Sequence, residues 1–172
     1  MSADITVRPV SVDDAEQVIA ILNPIIVEGL YTVFDEPISV DEERDYIRGL
    51  TERSVFLVAE SASEGVVGFQ SVDAFHAPYT RAFDHVGVIG TYVAEAYRRQ
   101  GVARALFPRT FAAASQAAYE KIFSFIRADN LAALAAYRSH GFTVIGTAKQ
   151  QAKLNGRYID EVLIERALNL TS

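Results

Sequence analysis

The chain has no cysteine and only three histidines, His76, His85 and His140, among its 172 residues. Without thiols it can form no disulfide, no cysteine-ligated metal site and no thiolate nucleophile. The histidines do not fall at metal-ligand spacing, so no metal is expected. Positive charge is scarce too: 16 Lys and Arg against 22 Asp and Glu leave a formal net charge of −6. That balance argues against a nucleic-acid partner, which selects for a basic face. Apolar residues make up 50% of the chain, yet no uncharged run reaches the length of a bilayer span. The start, Met1-Ser-Ala-Asp-Ile-Thr6, has neither the basic segment nor the apolar stretch of a secretion signal. The expectation is one cytoplasmic domain over residues 1–172 with no membrane partner.

What is present is an alternation of strand-like and helix-like segments. Residues 5–10 alternate as a strand, and Ser11-Val-Asp-Asp14 caps a helix carrying Ala15, Val18, Ile19, Leu22, Ile25 and Ile26 inward. Pro24 falls inside that run and is expected to kink or divide it. Residues 28–39 read as a loop. Ser39-Val-Asp-Glu42 is a capping box for a second helix with Tyr46, Ile47 and Leu50 inward. Two β-rich runs, 54–60 and 66–76, form a hairpin around Ser-Ala-Ser-Glu-Gly, and a loop over 77–84 follows. After a central strand comes a helix with Ala105, Leu106, Thr110, Phe111 and Ala114 inward, bent at Pro108. Residues 121–127 form a strand, and Asp129 or Asn130 caps a helix that Gly141 ends. Two strand-like runs then flank Asn155-Gly156, a strong hairpin signal. The order is β-α-α-β-β-β-α-β-α-β-β, an α/β fold with a mixed sheet flanked by helices.

The central stretch, residues 85–103, carries the chemistry. Val86 to Ala94 is uncharged and rich in β-branched and small residues, as in a strand buried on both faces. Arg98-Arg-Gln-Gly101-Val-Ala103 then leads into a helix. The first N–H groups of a helix lack partners and carry positive partial charge, so they favour an anion such as phosphate. Gly101 allows close backbone approach, and Arg98 and Arg99 add charged donors.

Arg98-x-x-Gly101-x-Ala103 resembles the Arg/Gln-x-x-Gly-x-Gly/Ala signature of the GNAT superfamily of N-acetyltransferases. Further along, Asn130-Leu-Ala-Ala133-Leu-Ala-Ala-Tyr137-Arg-Ser-His-Gly141-Phe142 resembles that family's Asn-x-x-Ala-x-x-x-Tyr-x-x-x-Gly-Phe segment. The phosphinothricin acetyltransferase-like, or L-amino-acid N-acetyltransferase-like, branch is the most similar. Tyr31-Thr-Val-Phe34-Asp-Glu36-Pro37 and Gly156-Arg157-Tyr158-Ile-Asp160 look like its local segments.

The resemblance implies a GNAT fold that uses acetyl-CoA and acetylates a small amino-acid-like primary amine by direct attack in a ternary complex. It places the pyrophosphate on Arg98, Arg99, Gln100, Gly101, Val102 and Ala103, with Asn130 and Ala133 near the cofactor. Free backbone groups of Tyr92 and Val93 would bond pantetheine, with the Val93 N–H toward the acetyl carbonyl. Tyr137 would give its proton to the departing sulfur. The branch often has Glu on the central strand where this chain has Val88, so the base is open among His85, Asp84, Glu95 and a water relay; His85 is chosen because imidazole titrates in the useful range. Phe34, Glu36, Phe75, Tyr79 and Tyr158 are acceptor-pocket candidates. The resemblance also implies a homodimer. A protein or peptide N-acetyltransferase and a non-catalytic acyl-CoA sensor are the competing functions.

Overall fold

A computed structural model describes residues 4–168; Met1 to Ala3, part of the N-terminal stretch read above for a secretion signal, lie outside them. The strands are β1 (Ile5–Pro9), β2 (Val55–Ser61), β3 (Gly65–Ala74), β4 (Val86–Val93), β5 (Lys121–Arg127), β6 (Thr143–Leu154) and β7 (Arg157–Ala167). The helices are α1 (Ala15–Glu28), α2 (Val40–Arg48), α3 (Val102–Gln116) and α4 (Leu131–Ser139). They follow the order expected from the sequence, with short 3₁₀ turns before α1 and α3.

One seven-stranded sheet runs β1-β2-β3-β4-β5-β7-β6, and β4 with β5 is its parallel pairing. Helices cover both faces. On one, Ala15, Val18, Leu22 and Ile26 of α1 pack with Ile47 of α2 onto Phe56, Val58 and Phe69. On the other, Leu106 and Phe107 of α3 with Leu134 and Tyr137 of α4 pack onto Leu57, Val72 and Ile89. Because β2 is covered on both faces, its residues read as a continuous apolar run without alternation.

Several caps do what their residues suggest. Glu42 accepts from the Ser39 N–H at 2.8 Å while Ser39 Oγ accepts from the Glu42 N–H at 3.2 Å. Asn155 and Gly156 both adopt positive φ, 49° and 77°, as a two-residue hairpin turn requires. Neither proline ends its helix, so of the kink or division expected at Pro24 the division does not occur. Pro24 and Pro108 lie within α1 and α3, which run on through them. Both are exposed, as are Ala20 and Arg104, the residues whose carbonyls a proline four positions on leaves without a donor.

The feature that makes the site is an incomplete pairing. β4 pairs with β5 only from Val86 with Lys121 to Val88 with Phe123. β5 then stays with β7 as far as Arg127 opposite Glu161, and β4 stays with β3 as far as Val93 opposite Gly68. Beyond Val88 the sheet therefore splits into a wedge.

Candidate active site

The Phe75 N–H donates to the Val86 carbonyl, and the Ala94 N–H to the Val67 carbonyl, at 3.0 and 2.9 Å. Hydrogen-bonded pairs alternate along an antiparallel ladder. Val88, Gly90 and Tyr92 therefore turn their backbone toward β3 with Val86 and Ala94, while Ile89, Thr91 and Val93 turn theirs into the wedge. The Ile89 carbonyl accepts from Ser124 Oγ of β5 at 2.8 Å, as this parity requires. Val93 thus turns its backbone into the wedge, its carbonyl toward Arg98, whereas the Tyr92 groups face Phe69 and are not free as expected. Tyr92 instead offers its ring, tilted 30° to that of Phe69 at 5.0 Å. Thr91, not anticipated from the sequence, takes its place on the open edge.

The wedge opens into a cavity of about 700 Å³. Gly90 to Tyr92, Ser124 to Arg127, Asn130, Ala133 and Tyr137 line it on the strand side; Tyr31 to Phe34 and Glu43 with Tyr46 close it on the other. Arg127 anchors that closing loop. Its guanidinium donates to the carbonyls of Gly29 at 2.7 Å and Thr32 at 3.3 Å and pairs with Asp129.

The loop after β4 has the form expected for an anion cradle. Gly101 precedes α3 with φ 89°, and a Cβ built there meets nothing within 4 Å. The Ala105 N–H is the first in α3 to find a carbonyl within the turn, that of Gly101, which leaves the Val102, Ala103 and Arg104 N–H groups at the helix mouth. Val102 itself is a core residue under Gly68. Arg98 Nε donates to the Val93 carbonyl at 3.4 Å, and its guanidinium lies 4.9 Å from the Tyr31 ring. Arg99, at φ 61°, and Gln100 are exposed beside it.

Asn130 caps α4, its Oδ1 accepting from the Ala133 N–H at 3.1 Å. Two turns on, Tyr137 is 4% exposed, its ring held edge-on by Phe107 and Phe142. Its hydroxyl lies 2.7 Å from Thr91 Oγ1, which also accepts from Gln70 Nε2 at 3.0 Å. With Gln70 donating to Thr91, the Thr91 hydroxyl can donate to Tyr137 and leave the phenol proton for a third group. Burial pushes that phenol well above its ordinary range, so it is a neutral donor at working pH.

His85 is not placed for the role chosen for it. It precedes β4, exposed, and its carbonyl is taken by the N–H groups of Glu120 and Lys121. It stands at the opposite end of the strand from Val93, roughly 26 Å away at about 3.3 Å per residue. Asp84 shares that end and pairs with Arg81 at 2.8 Å. Glu95 is exposed in the turn beyond the strand and does not line the cavity. Nearness in sequence to the central strand misled here.

Of the five acceptor-pocket candidates, Phe34 lines the cavity. Phe75 packs against Phe83 and Phe123 at the far end of β4, and Tyr79 is fully exposed on the loop after β3. Glu36 is exposed outside the cavity, and Tyr158 is exposed on the β6–β7 hairpin with Lys153 5.0 Å from its ring. The acidic lining comes instead from Glu43, Asp73 and Glu161, all raised above the ordinary carboxylate range by burial, with Glu42 at the rim. Asp73 accepts from the Tyr46 hydroxyl at 2.9 Å. Sequence reasoning missed these because the β3–β4 register at Asp73, the packing of α2 at Glu43 and the β5–β7 pairing at Glu161, which no local pattern states, decide what faces the cavity. Among the described residues no cluster of His, Cys, Asp and Glu could hold a metal ion, and no helix is long and apolar enough to cross a membrane.

The family profile of the acetyltransferase (GNAT) domain matches residues 7–163. The Bacillus subtilis (strain 168) protein YwnH, provisionally named a phosphinothricin acetyltransferase, is 26% identical over 164 residues, covering 95% of this chain and 99% of its own. The solved ribosomal-protein-alanine N-acetyltransferase of Brucella melitensis is 25% identical over 94% of this chain and 99% of its own, with a TM-score of 0.87. A phosphinothricin acetyltransferase of Sinorhizobium meliloti, solved in complex with acetyl-CoA, shares the fold at 21% identity and a TM-score of 0.88, covering 98% of this chain and 90% of its own.

Proposed function

The chain belongs to the GNAT acetyltransferase family and is an N-acetyltransferase with acetyl-CoA as donor; from that premise we propose that its acceptor is the primary amine of a small amino-acid-like molecule. The observation that carries this reading is the cavity in the wedge between β4 and β5. About 700 Å³ is the size of a small-molecule site, and the loop that Arg127 anchors lines one side of it. The kinship with YwnH supports the same acceptor class.

In this reading the pyrophosphate rests on the first turn of α3, with Gly101 admitting it and Arg98 and Arg99 supplying charge. Arg98 gives up the Val93 carbonyl to pantetheine as it turns to the phosphates. Pantetheine then follows the open edge of β4, and Asn130 and Ala133 border it from α4. The N–H groups of Val93 and Thr91 are fixed donors for the oxygen that gains charge when the amine attacks the thioester, and Thr91 lies beside Tyr137. One such donor contributes roughly 10²–10³-fold to rate. The amine nitrogen bonds to the acetyl carbon, the carbon–sulfur bond breaks, and Tyr137 gives its proton to the sulfur. Transfer is direct because no cysteine can carry the acetyl group and no serine–histidine pair lines the cavity.

The proposal includes a cytoplasmic homodimer. The twelve-residue edge strand β6, exposing Val144 and Ile145, supports the association, and light scattering measures it. The function is tested by thiol release from acetyl-CoA across amino acids, their analogues, polyamines and short peptides, with Arg98→Glu/Gly101→Val alongside. Strong turnover on one small amine, lost in the double variant, upholds the reading. Turnover on peptides alone replaces it with a protein N-acetyltransferase, and acetyl-CoA binding without any thiol release replaces it with a sensor.

A further inference from the structure

We propose that Asp73, on the strand beside the central one, binds the acceptor's ammonium group and takes its proton. The inference rests on the acetyltransferase reading above and names the base that reading lacks. Asp73 stands directly opposite Val88 in the β3–β4 register. Cross-strand partners have Cβ atoms about 5 Å apart on one face of the sheet. Asp73 and Val88 thus share the cavity wall with Ser71 opposite Gly90 and Phe69 opposite Tyr92. The carboxylate absent from β4 is supplied by β3, one strand over. Val88 is three residues from Thr91, or roughly 10 Å along the strand, a gap that an amine with its own carbon frame, or one water, bridges.

The surroundings suit a proton acceptor. From α2, the Tyr46 hydroxyl donates to Asp73 at 2.9 Å and fixes its orientation, leaving the second oxygen for the substrate. Glu43, three residues before Tyr46 on the same helix, lines the same cavity and adds negative potential. On the other side, Tyr119 is close enough to feel the Asp73 charge, with the Arg53 guanidinium 4.7 Å from its ring. Arg53 is thus turned to Tyr119 and to the Asp84 carbonyl. The cavity end lined by Asp73, Glu43 and Glu42 attracts a cation. In the step proposed, Asp73 takes one proton from R–NH₃⁺ and the freed amine attacks. The second proton leaves nitrogen as the intermediate collapses and, by way of water, replaces the one Tyr137 gives the thiolate. Asp73 returns its own to water, so each turnover releases one proton.

The test is Asp73→Asn, which keeps an acceptor for Tyr46, assayed on whichever amine the wild type acetylates, with Asp73→Asn/Val88→Glu beside it. Expected are unchanged acetyl-CoA affinity and a fall of about 10²-fold in kcat/KM at neutral pH. The residual rate should climb with pH as the amine loses its proton unaided. Glu at position 88 should restore at least tenfold, because it returns a carboxylate to the same wall from the opposite strand. A single variant with the wild-type rate and pH profile overturns the proposal. So does a loss of acetyl-CoA affinity in parallel with rate, or a rate loss that neither high pH nor Val88→Glu repairs. If the wild type itself acetylates no amine, the reading beneath it fails and this assignment falls with it.

Discussion

The role proposed for Tyr137 rests on its neighbours. Phe107 and Phe142 hold the ring, Thr91 holds the hydroxyl, and burial keeps the phenol protonated. Tyr137→Phe keeps the ring packing and removes the proton. We expect acetyl-CoA affinity within about twofold of wild type and kcat lower by roughly 10²-fold, read by calorimetry and thiol release. Asp14 illustrates a residue with a purely structural charge. It accepts two guanidinium bonds from Arg8, at 2.8 and 2.9 Å, and the Ser11 N–H at 2.7 Å, joining β1 to the start of α1. The Arg8 bonds hold its carboxyl below the ordinary value of 3.8. A depressed carboxylate contributes stability in full above its unfolded value, and that stability is lost as pH falls through the lower folded value. Asp14→Asn should cost about 2 kcal/mol at pH 7 by urea unfolding, with the difference shrinking below about pH 4.

At the scale of elements, the proposed site rests on where β4 stops pairing with β5 and where α3 begins. Gly68 sets the second of these. A Cβ there would lie 2.7 Å from Val102 Cγ1 and 3.1 Å from the Tyr92 carbonyl, so only glycine lets the first turn of α3 sit against β3. Gly68→Ala should cost about 1–3 kcal/mol by urea unfolding and weaken acetyl-CoA binding, because it displaces the N–H groups at the helix mouth. Local chemistry made most elements legible: Ser39 with Glu42, Asn130 and Asn155-Gly156 each announce a boundary that the structure keeps. Pro24 did not divide its helix, because a proline in an otherwise apolar-periodic run removes one hydrogen bond without ending the packing of its inner face. His85, Phe75 and Tyr79 look close to the site in sequence, but an extended strand carries them to its far end. Tyr92 and Thr91 exchange backbone roles because strand parity, set by the β3 partner, is invisible until the register is known. Asp73 was missed for the same reason.

At the scale of the whole molecule, the wedge means that one cofactor would bridge two halves of the sheet, β1–β4 and β5–β7, that separate beyond Val88. Acetyl-CoA at a hundredfold excess over its Kd should therefore stabilise the fold by about 2.7 kcal/mol, raising Tm by roughly 5–10 °C. Arg98→Glu/Gly101→Val should show little of that rise at the same concentration. The most direct measurement of the central claim follows both products at once. Wild-type protein is given acetyl-CoA and the amine panel, free thiol is counted, and the N-acetylated amine is quantified by mass spectrometry. The account predicts one N-acetyl product per thiol on an amino-acid-like amine, with Tyr137→Phe reducing both together. Thiol release with no acetylated amine, or acetylation confined to peptide N-termini, would contradict it.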